Sequence, residues 1–133
     1  MDALANPTEL KIATVEDSQL IIKRLEAILD EVDGVLFVGN AASMIDALTL
    51  IDQQRPDVLF VDIRLGKREE KTGIDLLSVV NTKYPAITVV MLTNLSGERY
   101  RTLCKRKGAD FFLDKSQDLD KISGTLKQIM NQR

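Results

Sequence analysis

The 133-residue sequence contains no histidine, no tryptophan and a single cysteine, Cys104. Without histidine, the chain cannot form an imidazole zinc site or a Ser-His or Cys-His catalytic pair. A lone cysteine excludes an internal disulfide and a thiolate metal cage. The sequence also lacks an apolar run long enough to span a membrane, and its N-terminus lacks the basic and apolar regions of a signal peptide. We therefore expect a cytoplasmic protein.

The length and composition are those of one globular domain. Apolar residues make up 44% of the chain and charged residues 29%, with a formal net charge of −2. A disordered chain has fewer apolar residues, and a nucleic-acid-binding domain has a basic footprint that this charge does not provide. We interpret residues 1–9 as an N-terminal extension and residues 10–131 as the domain.

Short apolar runs alternate with stretches of helical period along the chain. This alternation is typical of βα units around a parallel sheet that is buried on both faces. Strands are predicted at about 10–15, 35–39, 57–62, 87–92 and 110–113. Helices are expected after N-caps at Ser18, Ser43 and Asp118, from Gly73 to Lys83, and between Gly97 and Gly108. The second helix should bury Ile45, Leu48 and Ile51.

Polar side chains follow four of the five predicted strands. Glu16 and Asp17 follow the first strand, Asp62 ends the third, Thr93 follows the fourth, and Lys115 stands just beyond the fifth. In an open parallel sheet, ligands bind at the carboxyl ends of the strands. If the strand order is 2-1-3-4-5, these side chains meet at one edge. The end of the second strand, residues 39–42, offers no ionisable group.

Three carboxylates at one edge repel one another unless one is protonated or a hard cation joins them. Mg²⁺ fits best, because it prefers oxygen ligands and usually takes a few carboxylates plus a phosphate oxygen. Lys115 adds positive charge and Thr93 a hydroxyl, and both groups could stabilise a transferring phosphoryl group. Asp62 could then act as a nucleophile that forms an acyl phosphate.

The order and spacing of these residues resemble the receiver domain of two-component response regulators, from about Leu10 to Met130. The matching segments are Glu16-Asp17-Ser18, residues 55–62, Gly73 to Leu77, Val90 to Thr93 and Lys107 to Lys115. The resemblance implies a single-domain, flavodoxin-like, doubly wound (βα)5 fold with a parallel sheet in the order 2-1-3-4-5. It also implies that Asp62 accepts phosphate from a sensor histidine kinase or a histidine phosphotransfer protein.

The resemblance also assigns roles to the other residues. Glu16, Asp17, Asp62 and the backbone carbonyl of Arg64 would arrange Mg²⁺, and Thr93 and Lys115 would bind phosphoryl oxygens. Movement of Thr93 would be linked to rotation of Phe112. The output surface for a protein effector or output domain would be the fourth helix, fifth strand and fifth helix. Such a protein is a signalling switch, and its only catalysis is its own phosphorylation and dephosphorylation.

Several alternatives remain open at this point. The domain could be a phosphorelay intermediate that passes phosphate from Asp62 to a histidine phosphotransfer protein, or it could form a phosphorylation-dependent homodimer. Direct nucleic-acid or membrane binding is not expected. A nucleotide- or flavin-binding domain of the same fold is opposed by the two acids after the first strand, where phosphate binding favours glycines. Whether the chain acts alone or belongs to a longer regulator is also open.

The sequence departs from the family after Asp62 and after Lys115. Gly73 lies eleven residues after Asp62, about three more than is usual, across a charged loop at 67–71. Ser116 replaces the proline that usually follows the lysine in a cis bond, which a non-proline residue adopts only at a cost of about 2.5–4 kcal/mol. We also expect Cys104 to be packed in its helix and at least one residue of 20–22 to be exposed.

Overall fold

The computed structural model describes residues 9–65 and 72–133, with Thr72 described by its backbone only. The charged loop after Asp62 and most of the predicted N-terminal extension lie outside these ranges. The strands are β1 Leu10–Val15, β2 Val35–Ala41, β3 Val58–Val61, β4 Thr88–Thr93 and β5 Phe111–Asp114. The helices are α1 Gln19–Asp30, α2 Met44–Gln54, α3 Thr72–Lys83, α4 Glu98–Arg106 and α5 Ile122–Asn131, and a 3₁₀ turn at Leu119–Lys121 precedes α5.

The five strands form one parallel sheet in the order β2-β1-β3-β4-β5. This is the predicted flavodoxin-like fold, and it places every strand's carboxyl end at the same edge. The observed strand boundaries lie within two residues of the predicted ones. The β1–β2 pairing contains an irregularity after Ile12, where the register skips one residue of β2 and pairs Ala13 with Gly39.

The core has two layers, one on each face of the sheet. All four residues of β3 are buried, and they alternate between the layers: Val58 and Phe60 pack with α1 and α5, whereas Leu59 and Val61 pack with α2, α3 and α4. This explains why β3 is a continuous apolar run. Cys104 is fully buried in the second layer, as predicted. Burial raises the pKa of its thiol to about 11, so the group stays protonated at neutral pH.

Two of the three predicted N-caps are confirmed. The side chains of Ser18 and Ser43 accept hydrogen bonds from the third residue after each, at 3.4 and 3.2 Å. The predicted cap at Asp118 is wrong, because its side chain accepts from the Asp114 N–H instead, at 2.9 Å, and α5 begins only at Ile122. The Asp118 side chain makes no capping hydrogen bond to the 3₁₀ turn or to α5.

Two expectations about surface apolar residues have different outcomes. Leu20 is 63% exposed whereas Ile22 is buried, which confirms the expectation for residues 20–22. Ile45 was expected to face the core but is 78% exposed. The buried stripe of α2 is Ala47 and Ile51, one turn apart, and Ile45 lies about 200° from Ala47 around the helix. Within the part of the chain described, no helix is long and apolar enough to cross a membrane.

Candidate functional site

Strand register brings the predicted site residues to one edge. Val15 of β1 is paired with Val61 of β3, so Glu16 and Asp62 leave neighbouring strands side by side. The Asp62 N–H donates to the Val15 carbonyl at 3.2 Å. On the other side of β4, the Lys115 N–H donates to the Thr93 carbonyl at 3.0 Å. The backbone thus fixes where each side chain starts.

A buried lysine joins two of the acids. Lys115 is 7% exposed, and its Nζ lies 2.7 Å from Asp62 Oδ2 and 2.7 Å from Glu16 Oε1. Burial would lower the pKa of Lys115, but the hydrogen bonds to Asp62 and Glu16 raise it above its ordinary value. The ammonium is therefore charged at neutral pH, and it lies between two carboxylates.

Glu16 is the most deeply buried of the acids, at 2% exposure. Burial raises its pKa, although hydrogen bonds from Lys115 and from the Ser18 N–H, at 2.9 Å, oppose the shift. Asp17, by contrast, is exposed. Three acids with one ammonium leave the edge short of positive charge.

A metal could supply that charge. Carboxylate oxygens of Glu16, Asp17 and Asp62 lie within 4.8 Å of one another. Such a set of oxygen donors suits Mg²⁺, which takes a few carboxylates and retains several water ligands. Arg64 lines the same depression, and its N–H faces Asp62 Oδ1 at 3.4 Å.

Two of the acids, Asp17 and Asp62, line a depression of about 390 Å³ at the sheet edge. It is lined by Asp17, Asp62, Arg64, Thr93, Asn94, Leu95 and Lys115. The Thr93 Oγ1 accepts from the Leu95 N–H at 3.2 Å, so its hydroxyl proton can be donated to a ligand oxygen. The depression therefore combines a carboxylate, an ammonium and a hydroxyl within one small space.

A sequence profile of the response regulator receiver domain matches residues 12–127. The chain belongs to the response regulator receiver domain family. It is 24% identical to the transcriptional regulatory protein CitT of Bacillus subtilis, over 93% of this chain and 54% of that protein. It is 25% identical to the transcriptional regulatory protein DegU of Brevibacillus brevis, over 97% of this chain and 53% of that protein. The receiver domain thus spans about half the length of these curated relatives.

Solved structures share the fold of this receiver domain. A two-component response regulator of the LuxR family from Aurantimonas sp. SI85-9A1 superposes with a TM-score of 0.84 at 20% identity, covering 94% of this chain and 87% of that chain. The signal receiver domain of the putative response regulator NarL from Mycobacterium tuberculosis gives 0.82 at 21% identity, covering 96% and 100%.

The receiver domain contains a positioning contact that sequence reasoning missed. Asn40, near the end of β2, accepts a hydrogen bond from Thr14 Oγ1 at 2.6 Å and donates from Nδ2 to the Glu16 carbonyl at 3.1 Å. It therefore holds the peptide that joins Glu16 to Asp17. Because the end of β2 has no ionisable group, no site residue is predicted there. The predicted strand order places β2 beside β1. That adjacency is the signal that could have indicated a contact between the Asn40 amide and the end of β1.

Gly73 holds the start of α3 against the backbone of the candidate nucleophile. Its N–H donates to the Ile63 carbonyl at 2.8 Å. A Cβ at this position would lie 1.8 Å from the Asp62 carbonyl oxygen and 2.8 Å from the Ile63 Cα. Because both contacts are with backbone, no side-chain movement can relieve them. Only glycine allows this close approach.

Phe112 lies on β5 and is half-buried beneath a side chain of α4. The Arg101 guanidinium lies 4.8 Å from the centre of the Phe112 ring, and its Nε donates to the Ser96 carbonyl at 3.1 Å. Arg101 therefore connects the aromatic residue to the loop that follows Thr93.

Proposed function

We propose that this receiver domain accepts a phosphoryl group on Asp62 from a histidine kinase or a histidine phosphotransfer protein, in a reaction that requires Mg²⁺. The observation that carries the proposal is the position of the Asp62 carboxylate. It contacts the buried Lys115 ammonium at 2.7 Å, belongs to the cluster of three acids, and faces the depression beside Thr93.

In the proposed reaction, an Asp62 carboxylate oxygen attacks the phosphorus of a phosphohistidine. The P–N bond breaks, its electron pair returns to the imidazole, and an acyl phosphate forms. Lys115 and Thr93 bind the equatorial oxygens on which negative charge is spread. Glu16, Asp17, Asp62 and the carbonyl of Arg64 would hold Mg²⁺, which supplies positive charge to the same oxygens.

The phosphorylated domain would act as a switch that changes its output surface. Phosphorylation places a group of about −1.5 to −2 charge and three strong acceptors beside Thr93. A shift of Thr93 toward this group would move the following loop, and Arg101 links that loop to Phe112. The output would then be a change in the surface formed by α4, β5 and α5. Its target is a protein effector or an output domain, in keeping with the transcriptional regulators that this chain matches over half their length.

The test is phosphorylation by acetyl phosphate with Mg²⁺, followed by intact-mass spectrometry. The parent protein should gain one phosphoryl group, and Asp62→Asn should gain none. Asp75→Asn, which changes an exposed carboxylate on α3, is the matched control and should behave like the parent. Removal of Mg²⁺ with a chelator should abolish the gain. Equal labelling of the parent and Asp62→Asn would refute the assignment.

No observation on the described residues favours the relay alternative over the switch. Labelled receiver domain that rapidly gives its phosphate to a histidine phosphotransfer protein would support the relay. The cytoplasmic location, the homodimer and the domain boundaries stay predictions.

A further inference from the structure

Lys115 lies in a turn that two aspartates close. The Asp118 N–H donates to the Asp114 carbonyl at 2.8 Å, and the Asp114 N–H donates to Asp118 Oδ2 at 2.9 Å. This reciprocal pair surrounds the segment that contains Lys115. The segment also contains Ser116, at the position where the resemblance implies a proline.

The Asp114 carboxylate organises the interior of this turn. Its Oδ1 accepts from the Ser116 N–H at 2.7 Å, from Ser116 Oγ at 2.6 Å and from the Gln117 N–H at 3.2 Å. Hydrogen bonds from the side chain and the N–H of Ser116 lower the pKa of Asp114 to about 2, so the group is ionised at neutral pH. A charged acceptor with several donors makes strong local bonds.

We propose that Asp114 is a positioning residue for Lys115, and that its bonds to Ser116 provide the restraint that proline would provide elsewhere. The inference rests on the proposed phosphorylation of Asp62. Lys115 has a flexible four-carbon stem, so the backbone from which it starts decides where its ammonium can reach. Its own N–H is fixed to the Thr93 carbonyl on one side, and Asp114 fixes the next two residues on the other.

A double-mutant cycle on the full chain tests the proposal, with acetyl phosphate and Mg²⁺ as the probe. Asp114→Ala should slow phosphorylation of Asp62 by about tenfold, because a small misplacement of a charged group that contacts the transition state is costly. Asp114→Asn keeps an oxygen acceptor at the same place and should retain most of the parent rate. In a Lys115→Ala background, Asp114→Ala should cause no further slowing, because Asp114 acts through Lys115.

The matched control is Asp120→Ala, which removes an exposed carboxylate just beyond the turn and should leave the rate unchanged. Equal slowing by Asp114→Ala with and without Lys115, or a parental rate in Asp114→Ala, would overturn the proposal. If Asp114→Ala does not fold, Ser116→Ala replaces it in the cycle, with a slowing of about two- to threefold expected. A parental rate in that variant would also overturn the role. Labelling of Asp62→Asn would instead refute the proposed function itself.

Discussion

Substitution of Gly73 by alanine gives a direct test of how α3 meets the site. The added methyl would lie 1.8 Å from the Asp62 carbonyl oxygen, whereas real Cβ contacts are essentially never under 3.0 Å. The start of α3 and the backbone of Asp62 must therefore separate by more than an ångström. This movement disturbs the Gly73 N–H bond to Ile63 and the position of the candidate nucleophile together.

The magnitude follows from two opposing effects. Replacing a helical glycine by alanine in open space stabilises a protein by roughly 0.5–1 kcal/mol. Overpacking a well-packed site costs about 1–3 kcal/mol, and rigid backbone on the opposing side places Gly73 at the upper end. We therefore expect Gly73→Ala to lower the free energy of unfolding by about 2 kcal/mol.

Gly124→Ala is the matched control, because Gly124 also lies in a helix, and its added methyl would have nothing within 4 Å. It should be more stable than the parent by up to about 1 kcal/mol. Urea unfolding followed by far-UV circular dichroism measures both variants. Phosphorylation by acetyl phosphate should fall only in Gly73→Ala. If Gly73→Ala is as stable as Gly124→Ala, the close approach of α3 to Asp62 is incorrect.

Three further predictions concern the charges around the site. Lys115→Ala leaves the buried carboxylates of Glu16 and Asp62 without a counter-charge. With Mg²⁺ removed by a chelator, the substitution should lower the free energy of unfolding by about 3 kcal/mol. Mg²⁺ should restore part of this loss in urea unfolding, and equal stability of variant and parent would contradict the ion pairing. The folded pKa of Asp114 is about 2, against an ordinary value of 3.8. The stability that its carboxylate contributes is therefore complete above pH 3.8 and lost as the pH falls toward 2. Melting temperatures of Asp114→Asn and the parent should differ at neutral pH and converge near pH 2, and a constant gap would be inconsistent with that pKa. Arg101→Ala and Phe112→Leu should show a coupling of roughly 0.5–1 kcal/mol in a double-mutant cycle of unfolding, whereas additive losses would exclude the contact.

The sheet and the charged edge could be predicted because both depend on short-range patterns. Buried strands are short apolar runs, and parallel strands place their carboxyl ends together, so Asp62 and Lys115 are expected at one edge whatever the loops do. The strand order came from the family resemblance, and the structure confirms it.

The contacts that were missed depend on register and on competition between donors. Asn40 lies beside Thr14 only because the β1–β2 register skips one residue after Ile12, which no alternation of apolar residues reveals. Asp118 has the residue type and position of an N-cap, yet the Asp114 N–H engages its carboxylate. The sequence indicates which groups are available, whereas the folded backbone decides which of them meet.

Different groups hold the side-chain charges of the site and its backbone, so the proposed reaction could change the charges without changing the backbone geometry. In the unmodified protein, the Lys115 ammonium is held by charges, since it contacts the Asp62 and Glu16 carboxylates. In the proposed reaction, conversion of Asp62 to an acyl phosphate would remove its carboxylate charge and place new negative charge farther out, and we expect the ammonium to follow that charge. The backbones are held by different groups: Asn40 behind Glu16, Gly73 against Asp62, and Asp114 around Lys115. None of these three restraints involves an atom that the reaction changes. We therefore expect the proposed phosphorylation to move the ammonium on its flexible stem while the edge of the sheet keeps its geometry.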